Sequence, residues 1–245
     1  MERDLQTIYV TWKRVMIRLI RAKGRLVSTM VQPLLFLVTF GLGLRGVGGS
    51  MEFFLPAVIF MSSIMSSVMA GMSVMWDKEF GFLKEILVAP VNRVSAVIGQ
   101  AAGAVTTVII QAAWIGFLGV LMGAKISFAG ILPALGLLVL SSMIAVGVGI
   151  SFASVMDDFE GFQMVQSIIV MPMVFLSAAF VNPTGAPKIL TWIIKLNPLS
   201  YGVDGIRYFL TGGNAFPIML DVGVTAVFAL AAILSAAWLF ERIEA

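Results

Sequence analysis

Three carboxylates occur close together in the sequence DDFEG, residues 157–161, and groups of this kind can bind a metal ion or transfer protons. Carboxylates in a short turn are usually just solvated, and the chain contains no His or Cys that could complete a metal or proton-transfer site with them. A G-x-x-x-x-G-K-[ST] phosphate-binding loop is also absent, so we do not expect this chain to hydrolyse ATP. The acidic sequence therefore predicts a solvated turn, with no catalytic residue and no metal site.

A second charged sequence, WDKEFGFLKEILVAPVNR at 76–93, combines six charges with a helical apolar pattern. Its apolar residues recur at spacings of three and four from Phe80 to Leu87, and Pro90 is expected to end the helix. Phe80 and Phe82 lie about 200° apart on a helix, so they cannot both face one membrane surface. The sequence predicts a cytoplasmic helix that either binds another protein or simply returns the chain to the bilayer.

The elements that must position these charged sequences are long and apolar. Of the 245 residues, 60% are hydrophobic and 12% are charged, and the mean hydropathy is +1.02. Such a composition is typical of an integral membrane protein. Uncharged stretches of about twenty residues suit membrane-crossing α-helices, whereas a β-barrel would show alternating segments of about ten residues. We therefore predict an all-α integral membrane protein with six transmembrane helices, at about 26–44, 54–75, 95–122, 129–155, 162–181 and 218–240.

The distribution of positive charge predicts the orientation of these helices. With the N-terminus inside, the inside segments hold eleven Lys and Arg residues and the outside segments hold five. Both termini and both charged sequences are therefore expected in the cytoplasm. The net charge of +3 comes from the first 25 residues, which hold seven basic and two acidic residues, and this indicates anionic lipid as a partner and not nucleic acid. The inside group is seven residues of 1–25 with Lys78, Lys84, Arg93 and Arg242, and the outside group is Arg45, Lys125, Lys188, Lys195 and Arg207.

Residues 1–25 form a predicted unit of their own. Between residues 5 and 22, apolar side chains recur at spacings of three and four, and basic side chains occupy most of the other side. This pattern predicts an amphipathic helix at the membrane surface, and a merely solvated basic helix is the alternative. The apolar stripe is Leu5, Ile8, Trp12, Val15, Met16 and Leu19, and the basic residues are Lys13, Arg14, Arg18 and Arg21.

The segment 182–217, between the fifth and sixth spans, is too long for a simple loop. Its two apolar pieces, 188–196 and 199–210, are each too short to cross a membrane. We predict a re-entrant outer segment in which two short helices dip partly into the outer leaflet. Asn197 and Pro198 separate the two apolar pieces, and Tyr201 suits the headgroup level. Asp204 and Arg207 are three residues apart and can form an ion pair on a helix.

Two sequences resemble a known family of membrane proteins. EFGFLKEILVAPVNR, at 79–93 between a second and a third span, resembles the cytoplasmic coupling-helix segment of the ABC-2 type permease family. NPLSYGVDGIR, at 197–207, is similar to the segment before the last span in drug-resistance and polysaccharide-export members. The six-span order, the amphipathic start and the re-entrant outer segment fit the same family. Lys84 departs from the pattern, because an acid is frequent there, and Ala89 replaces a frequent Thr or Ser.

The resemblance implies a permease subunit of an ATP-binding-cassette exporter, with a six-span transmembrane domain at 26–245. Residues 77–90 would be its coupling helix, of which 77–87 would insert into a cleft of a separate ATPase subunit, which binds ATP and Mg²⁺. Two permeases and two ATPases would form the transporter, with this chain either as a homodimer or beside a paralogous permease. The residues assigned to ATPase coupling are Asp77, Lys78, Glu79, Phe80, Gly81, Phe82, Leu83, Glu85 and Pro90.

The second and fifth spans supply a candidate substrate pathway. Flexible thioethers and small side chains suit varied apolar cargo, although helix packing and interhelical hydrogen bonds are the alternative. Hydrophobic or amphipathic cargo is expected because no charge lies deep in the spans to pair with an ionic substrate. The alternatives are a lipid-linked saccharide as cargo and, in a different class, a membrane scaffold without an ATPase. The pathway residues are Met61, Ser62, Met65, Ser66, Met69, Gln163, Gln166 and Phe175.

Overall fold

The computed structural model describes residues 2–43, 50–79, 93–156 and 158–241, and the regular secondary structure of these residues is helical. The α-helices are α1 (Glu2–Arg21), α2 (Lys23–Phe36), α3 (Met51–Glu79), α4 (Arg93–Leu121), α5 (Ile131–Val155), α6 (Phe159–Val165), α7 (Met171–Phe175), α8 (Lys188–Leu196), α9 (Pro198–Thr211) and α10 (Ile218–Glu241). The π-helical segment π1 (Leu37–Leu42) continues α2, and π2 (Gln166–Val170) joins α6 to α7. The all-α class is confirmed for this part of the chain.

Four of the six predicted spans are helices long enough to cross a membrane. The apolar stretches within α3, α4 and α10, and the one formed by α5 with the 3₁₀ turn before it, contain 23 to 28 residues each. The first and fifth predicted spans are shorter apolar helices, Val27–Gly41 and Phe159–Phe175. Both contain a π-helical segment, and Pro172, which lacks a backbone N–H, follows π2 closely. Six complete crossings stay a prediction.

Helix α3 lies at the centre of the bundle and α10 at its edge. In the apolar stretch of α3, 78% of the residues are buried, whereas 17% are buried in the apolar stretch of α10. α3 packs against α4, α5 and α9, whereas α10 packs mainly against α5. The backbones of α3 and α5 meet at Gly71, where an added Cβ would overlap the carbonyl carbon of Gly149. Small residues therefore allow the central helices to approach closely.

Helix α1 confirms the predicted N-terminal helix and packs alongside the first turns of α4. Trp12 Nε1 donates to Thr106 Oγ1 over 3.0 Å, and an added Cβ at Gly99 would lie 2.8 Å from the carbonyl oxygen of Ile8. Part of the predicted apolar stripe therefore contacts another helix, while Leu5 is exposed. The location of α1 at the membrane surface stays a prediction.

The two ends of the bundle carry different elements. At one end, here called the α9 end, α9 meets the start of α3, the α4–α5 loop and the segment before α10. Ser127 N donates to the carbonyl oxygen of Leu210 over 2.8 Å, and Arg207 lies over the ring of Phe53. At the opposite end, α3 ends and α4 begins, beside α1 and the start of α6.

Candidate functional site

The last turns of α3 lie in a junction with two other helices. The ring of Trp76 lies 6.3 Å from that of Phe159, the first residue of α6, measured between centroids. On α1, the guanidinium carbon of Arg18 lies 6.0 Å from the centroid of the same indole ring. A cation near an aromatic face and a tilted ring pair are both attractive contacts. Trp76 therefore links the end of α3 to α1 and to the start of the fifth predicted span.

The predicted coupling segment begins at this junction. The sequence predicts a new helix from residue 77, whereas α3 continues through residues 77–79, because no Pro or Gly interrupts it there. Asp77, Lys78 and Glu79 are thus the last three residues of α3. The other predicted coupling residues, namely Phe80, Gly81, Phe82, Leu83, Glu85 and Pro90, lie outside the described residues, and their role stays a prediction.

Polar side chains of α4 connect α3 and α2 inside the bundle. Ser66 donates to Gln111 Oε1 over 2.8 Å, and Gln111 Nε2 donates to the carbonyl oxygen of Thr29 over 3.1 Å. Closer to the last turn of α3, at the end of the bundle opposite the α9 end, Gln100 Nε2 donates to Ser73 Oγ. Hydrogen bonds of this kind hold membrane helices together, because a bilayer offers their polar groups no water. For Ser66, this contact supports the packing alternative.

The remaining predicted pathway residues do not converge on one surface. Met61 and Ser62 are buried in the core of the chain, whereas Met65 and Met69 are half-buried. Met65 Sδ lies 4.0 Å from Gln166 Nε2, so α3 and π2 approach each other at this point. Met69 and Ser66 line a cavity of about 50 Å³ between α1, α2, α3 and α4. A cavity of that size can hold water molecules but not a transported molecule.

A cluster of phenylalanine rings joins π1, α3 and the segment after α7. Phe40 stacks on Phe54 with centroids 5.8 Å apart and lies 5.4 Å from Phe180, which in turn stacks on Phe175 at 5.3 Å. Only Phe175 was among the predicted pathway residues. The others come from three separate segments, so their meeting is set by the tertiary fold. This cluster places aromatic surface between the first and fifth predicted spans, towards the α9 end.

The first and fifth predicted spans each carry an exposed side-chain amide. Gln32 on α2 and Gln163 on α6 are both exposed, and they belong to the shorter apolar helices Val27–Gly41 and Phe159–Phe175. By contrast, the sequence of α10, which packs at the edge of the bundle, contains neither Asn nor Gln. A primary amide facing hydrocarbon is costly unless it finds a hydrogen-bond partner. The exposed faces of α2 and α6 are thus suited to contact with protein or water, and sequence reasoning identified only Gln163.

Segment 182–217 contains the two predicted short helices at nearly the predicted bounds. Its outer position and its entry into the leaflet stay predictions, and the name outer segment is kept for these residues. Asn197 ends α8 and caps α9, because its Oδ1 accepts from Leu199 N over 3.1 Å, and Pro198 is the first residue of α9. Asn197 Nδ2 also donates to the carbonyl oxygen of Met173 over 2.6 Å. Tyr201 donates its hydroxyl hydrogen to the carbonyl oxygen of Lys195 over 2.7 Å. These contacts fix the angle between α8 and α9 and tie both helices to α7.

Asp204 and Arg207 lie close together within this segment, as predicted, and both are buried. Arg207 Nη1 lies 3.7 Å from Asp204 Oδ1, and Arg207 Nη2 donates to the carbonyl oxygen of Ala179 over 2.8 Å. The guanidinium also lies 4.2 Å from the ring centroid of Phe53. Burial lowers the pKa of Arg207 to about 10, although the nearby Asp204 raises it. The pair therefore connects α9 to α3 and to the segment after α7.

The second oxygen of Asp204 holds the segment before α10. Asp204 Oδ2 accepts from the backbone N–H groups of Ala215 and Phe216, each over 2.8 Å. Burial raises the pKa of Asp204, whereas these two hydrogen bonds and Arg207 lower it. The sequence indicated the ion pair but not these backbone bonds, because the acceptor lies eleven residues before its first donor. Asp204 therefore orders the connection into the last span.

Asp221 is a buried polar residue that sequence reasoning missed. It lies in the first turn of α10 and is fully buried beside Gly205 of α9. Among the described residues, neither its carboxylate oxygens nor the hydroxyl of Thr225, one turn later, have a hydrogen-bond partner. Because Asp221 lies at the start of an apolar span, the sequence alone predicts a residue at the membrane surface. Its side chain is buried because this face of α10 packs against α9.

Comparisons with known proteins show similarity to membrane transport proteins. A family model described as ABC-2 type transporter matches residues 6–211. The ycf38 protein of Porphyra purpurea, named as a transport permease, is 30% identical over 83% of this chain and 74% of its own length. The inner membrane transport permease YadH of Escherichia coli K12 is 27% identical over 84% of each chain. Nodulation protein J of Rhizobium meliloti is 22% identical over 91% of this chain and 85% of its own.

Proposed function

The chain belongs to the ABC-2 type transporter family, and from this premise we propose that it is the membrane subunit of an ATP-driven exporter in the cytoplasmic membrane. The family is one of transport permeases, and the named relatives YadH and ycf38 carry that description. ATP and Mg²⁺ bind to a separate ATPase subunit. The excess of positive charge in the inside segments supports an orientation with both termini in the cytoplasm.

The observation that carries the coupling proposal is the contact of Trp76 with Phe159 and Arg18. Residues 77–90 bind the ATPase, and closure of the ATPase on ATP displaces them. Because Trp76 precedes this segment directly and contacts α6, the displacement passes to α6, π2 and α7. Side chains packed at van der Waals contact transmit movement since cores have few voids. The energy of ATP binding thereby moves the fifth span relative to the first.

The exposed amides of Gln32 and Gln163 support a second permease subunit as the neighbour of α2 and α6. A homodimer is the simplest arrangement, because a two-fold axis would bring the same two faces of each chain together. The pathway then lies between the two subunits and not within one of them. This arrangement accounts for the absence of a cargo-sized cavity at Met69 and Ser66 in the described part of one chain.

Hydrophobic or amphipathic cargo fits this pathway. Residues 26–44 and 161–187, which contain the two short spans, have no Asp, Glu, Lys or Arg. An ionic cargo between them would lose its hydration without gaining a counter-charge. The aromatic cluster of π1, α3 and the segment after α7 supplies apolar surface at the α9 end. A lipid-linked saccharide is the alternative cargo, because its lipid part meets the same requirement.

Binding and coupling can be tested separately with the proposed ATPase subunit. We expect Glu79→Arg and Gly81→Trp to reduce ATPase binding at least tenfold, since both change the proposed contact. Glu160→Arg is the matched control, because Glu160 is exposed at the same end of the bundle, in the first turn of α6. Unchanged binding of both coupling variants would exclude residues 77–90 as the docking site.

Transmission through Trp76 has its own test in the same complex. We expect Trp76→Ala to keep ATPase binding and basal ATP hydrolysis but to lose most ATP-driven transport in vesicles. Trp192→Ala is the control, because Trp192 is exposed on α8, far along the chain from the junction. Transport by Trp76→Ala at the rate of this control would show that the junction does not transmit movement. Lipophilic compounds and lipid-linked saccharides, added in turn, identify the cargo class.

A further inference from the structure

An apolar cleft of about 440 Å³ lies between α3, α4, α5 and α9, apart from the proposed pathway. Its floor is buried and includes Leu55, Leu138 and Ile206, whereas its rim is open. Phe117 and Phe128 on the rim are 57% and 79% exposed. All sixteen residues that line the cleft have apolar side chains or none. The volume lies within the range of small-ligand sites.

The cleft lies between candidate membrane-spanning helices, at the end of the bundle where α4 is joined to α5. Three of its four walls are helices long enough to span a bilayer, and its exposed rim belongs to α4 and the 3₁₀ turn before α5. A cleft left empty would lose the dispersion contacts of its walls. Water does not fill an apolar cavity, which offers it no hydrogen bonds. The molecule available at this depth is a lipid, so an acyl chain is the natural occupant.

A positive charge lies beside the mouth of the cleft. Lys125 is exposed in the loop between α4 and α5, and the next residue, Ile126, lines the cleft. The backbone of this loop is held against α9, because Ser127 N donates to the carbonyl oxygen of Leu210, which is another lining residue. Lysine near a membrane surface attracts anionic headgroups. The charge and the apolar cleft therefore suit the two parts of one lipid molecule.

We propose that the cleft between α3, α4, α5 and α9 binds one membrane phospholipid, with an acyl chain along Gly116 and Leu135 and an anionic headgroup at Lys125. The occupied cleft joins α4 to α5 and α9 and so supports the outer segment. The site lies on residues other than the proposed pathway residues and needs neither an ATPase nor a cargo. Its test is therefore independent of the transport assay.

Two glycines give a matched pair of variants for this site. A Cβ added at Gly116 meets nothing within 4 Å, so Gly116→Leu places a side chain into the cleft without a backbone clash. Gly136 also has open space around an added Cβ, but it does not line the cleft. Gly136→Leu therefore controls for the effect of a leucine in a spanning helix. Ala113→Phe, at an exposed lining position, is a second variant that fills the cleft.

The experiment measures lipid bound to the full chain by native mass spectrometry, after reconstitution in nanodiscs of phosphatidylcholine with phosphatidylglycerol. We expect about one retained phosphatidylglycerol per chain for the wild type and for Gly136→Leu. Gly116→Leu and Ala113→Phe should each lower retention at least fivefold while keeping the elution volume of the folded protein. Equal retention by Gly116→Leu and Gly136→Leu would overturn the proposal. The proposal would also be overturned if filling the cleft changed only the oligomeric mass and not the lipid retained, because the cleft would then bind a second copy of the chain.

Lys125 tests the headgroup part of the site. We expect Lys125→Gln to reduce the preference for phosphatidylglycerol over phosphatidylcholine about fivefold, the effect of one lysine near a membrane surface. Lys188→Gln is the control, because Lys188 is also exposed but lies in the outer segment at the start of α8. A preference unchanged by Lys125→Gln, or changed equally by Lys188→Gln, would remove the headgroup from the proposal.

Discussion

Replacing Arg207 by methionine is expected to destabilise the α9 end of the bundle. The substitution keeps much of the side-chain volume but removes the guanidinium, which lies 3.7 Å from Asp204 and 4.2 Å from the ring centroid of Phe53. Removing one member of a buried ion pair costs about 3–5 kcal/mol. The lower value applies here, because Asp204 keeps two backbone hydrogen bonds. A loss of about 3 kcal/mol lowers Tm by roughly 6–12 °C for a chain of this size.

The assay is thermal unfolding of the detergent-solubilised protein, followed by tryptophan fluorescence. The double variant Asp204→Asn/Arg207→Met removes both charges, while the Asn oxygen can still accept from the backbone of the segment before α10. We expect it to unfold at a higher temperature than Arg207→Met alone, because no buried charge is left unpaired. Lys195→Met, at an exposed position, should change stability by less than about 0.5 kcal/mol. Additive losses in the double variant would refute this reasoning.

Two further predictions concern close packing and capping. Gly71→Ala should lower Tm, because its Cβ would overlap the backbone of α5 at Gly149 and overpacking costs about 1–3 kcal/mol. Gly223→Ala should not lower Tm, since an added Cβ there meets open space. Equal Tm values for both variants would contradict this reasoning. Asn197→Ala should lower the free energy of unfolding by about 1–2 kcal/mol in the same thermal assay, since it removes the cap of α9 and the hydrogen bond to Met173. A loss below about 0.5 kcal/mol would show that the cap contributes little.

The parts of the fold that follow local rules could be predicted from the sequence. The four long spans follow from the length of uncharged sequence, and the two outer helices follow from the break at Asn197 and Pro198. The ion pair of Asp204 and Arg207 follows from their spacing of three on a helix. In each case the signal lies within one helix or one turn, so no knowledge of packing is needed.

The features that sequence reasoning missed depend on contacts between distant segments. The phenylalanine cluster combines three segments. Hydrogen bonding between helices is expected of an amide such as Gln111, but its partners on α2 and α3 are distant in sequence and could not be identified. Neither has a periodic pattern of its own. The stripe of α1 shows the same limit, because the pattern of an amphipathic helix is the same whether its apolar side contacts lipid or α4. Asp221 is a further case, since only the packing of α10 shows that its carboxylate is buried.

ATP-driven transport in vesicles is the measurement that tests the central claim most directly. The chain is reconstituted with the proposed ATPase partner, and export of a labelled lipophilic compound is compared with and without ATP. We expect ATP-dependent export by the wild type and by the control Glu160→Arg, no export without the ATPase, and loss of export with Gly81→Trp. ATP-dependent export by Gly81→Trp at the wild-type rate would contradict coupling through residues 77–90. Equal export with and without the ATPase would contradict an ATP-driven permease.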